Sequence, residues 1–331
     1  MDNRKLNLQK LLAPAALVIL YVVFSIFGNN FLSVDMLKNI LESSYYIGFM
    51  AFGVTFVIIT GGIDLSIGTV MMCSALLGAY AFNSGWPLWV ALLLTVAVGV
   101  VFGMANGLLI AKLKLPPFIA TLGSMMMAQG FGSIITNVQS QTWPTATAEI
   151  GGWFKKVFIR NNFTIGGTQL SGIPVGALWL FGVFVIALLL LHNTKLGRYT
   201  FAIGSNEEAT RLSGINTDKW KMLAYTLCGA FAGMAGIFYA AAYTTITPGT
   251  GNGQELNAIA GVVIGGTSMS GGSGSMVGTL IGVFIMSVLK NGLSACGLQA
   301  PWQTFFTGAV VICAVLLDIQ RNKAANRVKK S

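Results

Sequence analysis

Few residues in this chain could take part in chemistry, and the first to stand out lie in TGGIDLSIG at 60–68, where Asp64 separates two long apolar runs. A carboxylate at membrane depth costs roughly 2.5–3.5 kcal/mol on insertion scales, so it belongs at a cavity, an interface or a helix end. Gly61 and Gly62 can end one helix, and Asp64 and Ser66 can cap the next. Two uses are open for this stretch: a tight helix junction, or a broken helix whose polar groups line a substrate path.

Other reactive groups are sparse. The only histidine is His192, at the end of an apolar run. A proton relay generally uses intramembrane acids or histidines, and an intramembrane serine protease needs a base facing its nucleophile. The four cysteines, Cys73, Cys228, Cys296 and Cys313, all fall in apolar runs without a C-x-x-C pair and are expected to be buried thiols. A glycine-rich stretch, GGTSMSGGSG at 265–274, follows Glu255-Leu256-Asn257, yet the chain contains no G-x-x-x-x-G-K-[ST] phosphate loop. Its small residues suit close helix packing or a re-entrant turn.

The elements that must position these residues are membrane helices. Of 331 residues, 54% are hydrophobic and 9% charged, with mean hydropathy +0.73; an ordinary soluble domain carries about 25% charged residues. Apolar runs lie near 11–28, 40–60, 65–83, 86–110, 116–136, 172–191, 222–243, 256–268, 276–296 and 302–318. Most approach the ~20 residues that span a bilayer, and 256–268 is the short one. The basic start followed by an apolar run reads as the first span, since no small-residue cleavage site follows.

The net charge of +10 follows membrane topology rather than nucleic-acid binding. With ten spans and both termini cytoplasmic, Arg4, Lys5 and Lys10, then Lys112 and Lys114, then Lys195 to Lys221, then Arg321 to Lys330 all fall inside. Lys155, Lys156 and Arg160, in the long 137–171 connection, are the contrary cluster.

Asn106-Gly107-Leu108 with Pro116 and Gly123 recurs as Asn291-Gly292-Leu293 with Pro301 and Gly308 at the same offsets. One copy joins spans on the inside and the other on the outside, which predicts an inverted repeat, approximately 40–136 and 222–318. Between the copies, the loop 192–221 carries RYTFAIGSNEEATRLSGI. Ser205 and Glu208 have capping-box spacing, and Gly214 can stop the helix. About two turns are predicted, with Ala209, Leu212 and Ile215 as a small apolar face that must rest on the membrane domain or on a soluble partner.

GGIDLSIG, LPPFIATLG, LGRYTFAIGSNEEATRLSGI, ELNAIAGVVIGGTSMSGG and the closing NGL segment, in this order, closely resemble the ribose-type permease family of bacterial ABC importers. The resemblance implies one all-α polytopic permease domain over 1–331, of the type II importer kind, in the bacterial inner membrane. It implies a homodimer, a periplasmic sugar-binding protein, and an ATPase subunit with two nucleotide-binding cassettes. ATP and Mg would sit on that ATPase, with no cofactor on this chain and no catalysis by it. Gly204, Asn206, Glu207, Glu208, Ala209 and Gly214 then look like the coupling helix that docks on the ATPase. Where the family commonly has Glu-Leu-Asp, this chain has Glu255-Leu256-Asn257, so a second carboxylate is absent. Thr60, Asp64, Asn106, Phe118, Gln129 and Asn257, polar or aromatic residues at helix breaks, are the candidate lining of a path for a neutral monosaccharide, ribose by default. The competing class is an ion-coupled secondary transporter of a small neutral solute.

Overall fold

The computed structural model describes residues 3–165 and 168–328; side chains of residues 1–11, 163–171 and 321–331 fall outside the described set, and with them the basic clusters at both termini. The helices are α1 Asn3–Phe27, α2 Val34–Ile59, α3 Ile67–Asn83, α4 Leu88–Gly107, α5 Pro117–Ile135, α6 Phe154–Phe158, α7 Gly176–Asn193, α8 Lys195–Ser205, α9 Glu207–Leu212, α10 Thr217–Tyr243, α11 Gln254–Ile264, α12 Met276–Ala295 and α13 Ala300–Val328. Four short strands complete the order: β1 Gln141–Thr142, β2 Asn161–Ile165, β3 Thr168–Ile173 and β4 Thr245–Ile246. They form two antiparallel pairs, β1 with β4 and β2 with β3.

Among the described residues, seven helices are long and apolar enough to cross a membrane, and three shorter apolar helices accompany them. Together they account for the ten apolar runs. The short run at 256–268 becomes α11, 11 residues and therefore about 16 Å long, half of a ~30 Å hydrocarbon core.

The centre of the bundle is α2, buried over most of its length and packed on α7, α10, α11 and α12. At the periphery, α4, α5, α7 and α13 leave broad apolar faces exposed, as suits helices bathed in lipid. The packing is matched in pairs. Helix α3 lies on α4 and α5 as α11 lies on α12 and α13; α10 lies on α4 as α2 lies on α12.

Glycine sets the tightest approaches. Gly99, Gly103 and Gly107 along α4 face Gly229, Gly233 and the Met222 backbone of α10 at distances that leave no room for a Cβ. Gly261 and Gly265 of α11 face Gly282 and Gly278 of α12 in the same way.

The connections meet at two opposite ends of the bundle. At one, Lys114 in the α4–α5 connection pairs with Asp218 of α10 at 2.5 Å. At the other, β1 from the 137–171 connection pairs with β4 after α10. Arg160 at that second end forms an ion pair with Glu42 of α2 and donates to Asn39 at 3.1 Å. Part of the contrary basic cluster is thus neutralised locally.

The buried-thiol expectation needs correction. Cys73 and Cys228 are buried, but Cys296 is half-buried and Cys313 is exposed on α13. An apolar run in a membrane protein faces lipid as readily as protein, so apolar context does not imply burial.

Candidate functional site

Helix α2 stops where the glycines allow it. Thr60 is the C-cap, Gly61 takes φ +80°, and the amides of Gly61 and Gly62 donate to the carbonyls of Ile58 and Val57 at 2.9 and 3.2 Å. Thr60 is buried, and its Oγ1 donates to the Val57 carbonyl at 2.6 Å. The chain then crosses to α3 through Asp64, which is 1% exposed. Its carboxylate accepts from the Ser66 amide at 3.0 Å and from Ser66 Oγ at 2.6 Å. Asp64 therefore folds a local turn ahead of α3 instead of capping the helix amides beyond it, and Ser66, the residue at the cap position, makes no side-chain cap bond.

The turn is tied to two other helices. Asn106 on α4, also 1% exposed, donates from Nδ2 to Ser66 Oγ at 2.9 Å, and its Oδ1 accepts from Ser124 Oγ on α5. The Cys228 thiol of α10 lies beside the Asp64 carboxylate, and Tyr225 Oη donates to the Ile63 carbonyl at 3.2 Å. Asp64, Ser66, Asn106 and Ser124 form one buried chain of hydrogen bonds across α3, α4 and α5. Sequence reasoning singled out Asp64 and Asn106 separately; Ser124 it missed, because a serine in an apolar helix carries no positional signal.

Immediately past Asn106, α4 ends in a π-helical turn, Leu108–Lys112, and Lys114 adopts φ +56°. Such wide turns commonly mark functional positions inside helices. The second repeat asparagine behaves similarly. Asn291 on α12 donates to Ser43 Oγ of α2 at 3.0 Å.

Three further residues of the predicted path lie apart from this chain. Phe118 is 56% exposed near the start of α5. Gln129, about three turns along the same face of α5, donates from Nε2 to the Gly249 carbonyl at 2.5 Å and accepts from Asn252 Nδ2 at 3.4 Å. Asn257 accepts from Thr307 of α13 and donates to Gln254 Oε1, each at 3.5 Å. Glu255 is buried, and both carboxylate oxygens accept the Gly253 amide at 3.0 Å.

The 192–221 loop forms a helical hairpin, α8 and α9. The expected capping box is shifted by one residue: Ser205 ends α8, and Asn206 caps α9 by accepting the Ala209 amide at 2.9 Å. Asn206 wins because Ser205 is still within α8 and packed against Gly272. Gly214 stops the helix at φ +82°, as expected. Glu207 is held by Lys221 at 2.5 Å and Arg211 at 3.4 Å. Gly204 faces inward, against the Ile59 carbonyl and Gly272. Glu208 and Ala209 are exposed, and Leu212 is 82% exposed. Of the small apolar face, Ala209 and Leu212 thus stand open while Ile215 is half-buried. Among the described residues, no cluster of metal-ligating side chains is present.

The geometry is that of a mostly helical polytopic bundle with polar chains at broken helices and a projecting helical hairpin. The family described as "Branched-chain amino acid transport system / permease component" matches residues 36–315. The chain is 42% identical over 318 residues to the ribose import permease protein RbsC of Bacillus subtilis (strain 168), covering 96% of this chain and 94% of the relative. To RbsC of Escherichia coli (strain K12) it is 39% identical over 305 residues, 92% and 91% of the two chains. To the xylose transport system permease protein XylH of Escherichia coli (strain K12) it is 33% identical over 368 residues, 95% and 93%. The chain belongs to the ribose-type permease family of ABC importers. No solved structure matches it.

Proposed function

We propose that the chain is the membrane-spanning subunit of an importer that carries a monosaccharide, ribose first, from a periplasmic binding protein into the cytoplasm. A separate ATPase with two nucleotide-binding cassettes drives it and holds the ATP and Mg; this chain binds no cofactor and hydrolyses nothing. Two copies form a homodimer in the bacterial inner membrane, each with both termini cytoplasmic. The observation that carries the reading is α9, whose Glu208, Ala209 and Leu212 project into solvent with no support from the chain's own bundle.

The inverted repeat and the topology belong to the same proposal. The pairwise-matched packing of α2–α5 and α10–α13 supports two inverted repeats. Pairing of Lys114 with Asp218 and of β1 with β4 supports the assignment of those segments to common sides.

Coupling then runs through named contacts. A push on α9 passes to α10 through Glu207–Lys221, from α10 to α4 through the glycine seam, and from α4 to the α2–α3 junction through Asn106. Each contact joins elements that would shift together between outward-open and inward-open states. Thr60, Asp64 and Asn106 hold the junction in this account, while Phe118, Gln129 and Asn257 face the path.

The test is uptake of radiolabelled pentoses and hexoses into proteoliposomes holding the permease, its binding protein and its ATPase. ATP-dependent accumulation of one sugar supports the reading and names the cargo. Accumulation driven by an ion gradient without ATP would instead favour a secondary transporter and overturn it.

A further inference from the structure

The connection between α10 and α11 enters the membrane without being helical. At its start, β4 pairs with β1 of the long 137–171 connection, beyond the Asn83 end of α3. At its finish, α11 begins at Gln254. The other end of α11 is fixed, since Gly265 packs on Gly278 in the first turn of α12. Because α11 is 11 residues long, Gln254 stands about 16 Å inward from that end, near the middle of a ~30 Å core. Contacts along α3 agree. Thr247 to Thr250 run beside Leu76, Cys73, Met72 and Thr69, and Gly251 reaches the Gly68 carbonyl.

This descending stretch is not sealed inside the protein. Thr247, Gly249, Thr250 and Asn252 are exposed, and Gln129 and Gln254 are half-buried beside them. Hydrocarbon cannot satisfy irregular backbone and amide side chains; at membrane depth they persist only inside protein or against water. The charge pattern narrows what that water carries. The 244–264 stretch holds no basic residue, and α5 holds no charge of either sign. The one carboxylate, Glu255, is buried against Gly68 and occupied by the Gly253 amide.

We propose that Thr247–Gln254 lines a water-filled path, and that Gln129, Thr250, Asn252 and Gln254 form a contact site for the hydroxyl groups of a neutral polyol. Amide and hydroxyl side chains offer donors and acceptors together, as sugar hydroxyls require. A sugar phosphate would find no cation there and is discriminated against. This deepens the importer reading and rests on it for the identity of the cargo, whereas the wet path is testable alone.

The experiment has two arms. In full-length permease with its four native cysteines replaced, Thr250→Cys and Asn252→Cys are compared with Val101→Cys, on the outer face of α4, for reaction with a membrane-impermeant charged thiosulfonate. The expected result is labelling at least about tenfold faster at 250 and 252, because a charged reagent reaches a thiol only through water. Rates no faster than at Val101→Cys overturn the wet path, as does labelling that rises only when copies dissociate, which would make the segment an interface between copies. In the second arm, Thr250→Val with Asn252→Leu is placed in the reconstituted complex, with Thr250→Ser and Asn252→Gln as conservative counterparts. Sugar uptake is expected to fall about tenfold while stimulated ATP hydrolysis persists, with recovery in the conservative pair. Unchanged uptake overturns the contact site. Wild-type uptake tests the importer reading by itself, and the labelling rates are read without any transport.

Discussion

Gly99 of α4 and Gly229 of α10 face each other so closely that a Cβ on either would meet the backbone carbonyl of the other. Neither helix can tilt away without opening the seam that continues through Gly103 and Gly233. Overpacking of this kind costs about 1–3 kcal/mol and more where backbone is the obstacle. Gly229→Val is therefore expected to lower the melting temperature of the detergent-solubilised protein and broaden its size-exclusion peak. The same change at Gly123, which has open space around it, is the control and should leave the melting temperature unchanged.

The buried chain through Asp64 separates charge from hydrogen bonding. Asp64→Ala strands the Ser66 amide and leaves the Ser66 hydroxyl with Asn106 as its one remaining partner, an unpaired buried donor costing about 1–3 kcal/mol. Asp64→Asn keeps an acceptor in place and should lose much less. Thermal unfolding of the two variants checks this, and equal losses would mean that the negative charge itself is what the junction needs.

Within the α9 hairpin, the two glutamates have different surroundings and should behave differently. Glu208→Lys and Leu212→Asp, both on the exposed face, are expected to abolish ATPase stimulation while the permease stays folded and inserted. Glu207→Gln loosens contacts to Lys221 and Arg211 at a cost of about 0.5–1 kcal/mol and weakens stimulation only partly. Hydrolysis by the reconstituted complex is the measurement, and full stimulation in Leu212→Asp would move the docking site elsewhere.

Topology makes a fourth prediction. Ile150, exposed in the 137–171 connection, and Leu212, exposed on α9, lie on segments assigned to opposite sides. In intact cells, Ile150→Cys should react with an impermeant thiol reagent and Leu212→Cys should not until the membrane is permeabilised. The reverse pattern would invert the assignment.

The sequence by itself determined where the apolar segments lie, because hydropathy is a property of each run and needs no partner. It also located the breaks, since a glycine can take left-handed backbone without a Cβ penalty, and Gly61 and Gly214 do so at φ +80° and +82°. The expectation that the eighth apolar run, 256–268, is too short for an ordinary span came from length alone, and α11 is 11 residues long. Which helix lies at the centre was decided only in three dimensions. In lipid both faces of a helix are apolar, so α2 and α13 read alike in sequence although one is enclosed and the other mostly exposed. The same holds for the site. Asp64, Ser66, Asn106 and Ser124 are joined by hydrogen bonds a few ångströms long, and Gln129 meets Gly249 and Asn252 across two elements. The capping residue of α9 shifted from Ser205 to Asn206 for a related reason: α8 consumed Ser205, and only packing sets where one helix ends and the next begins.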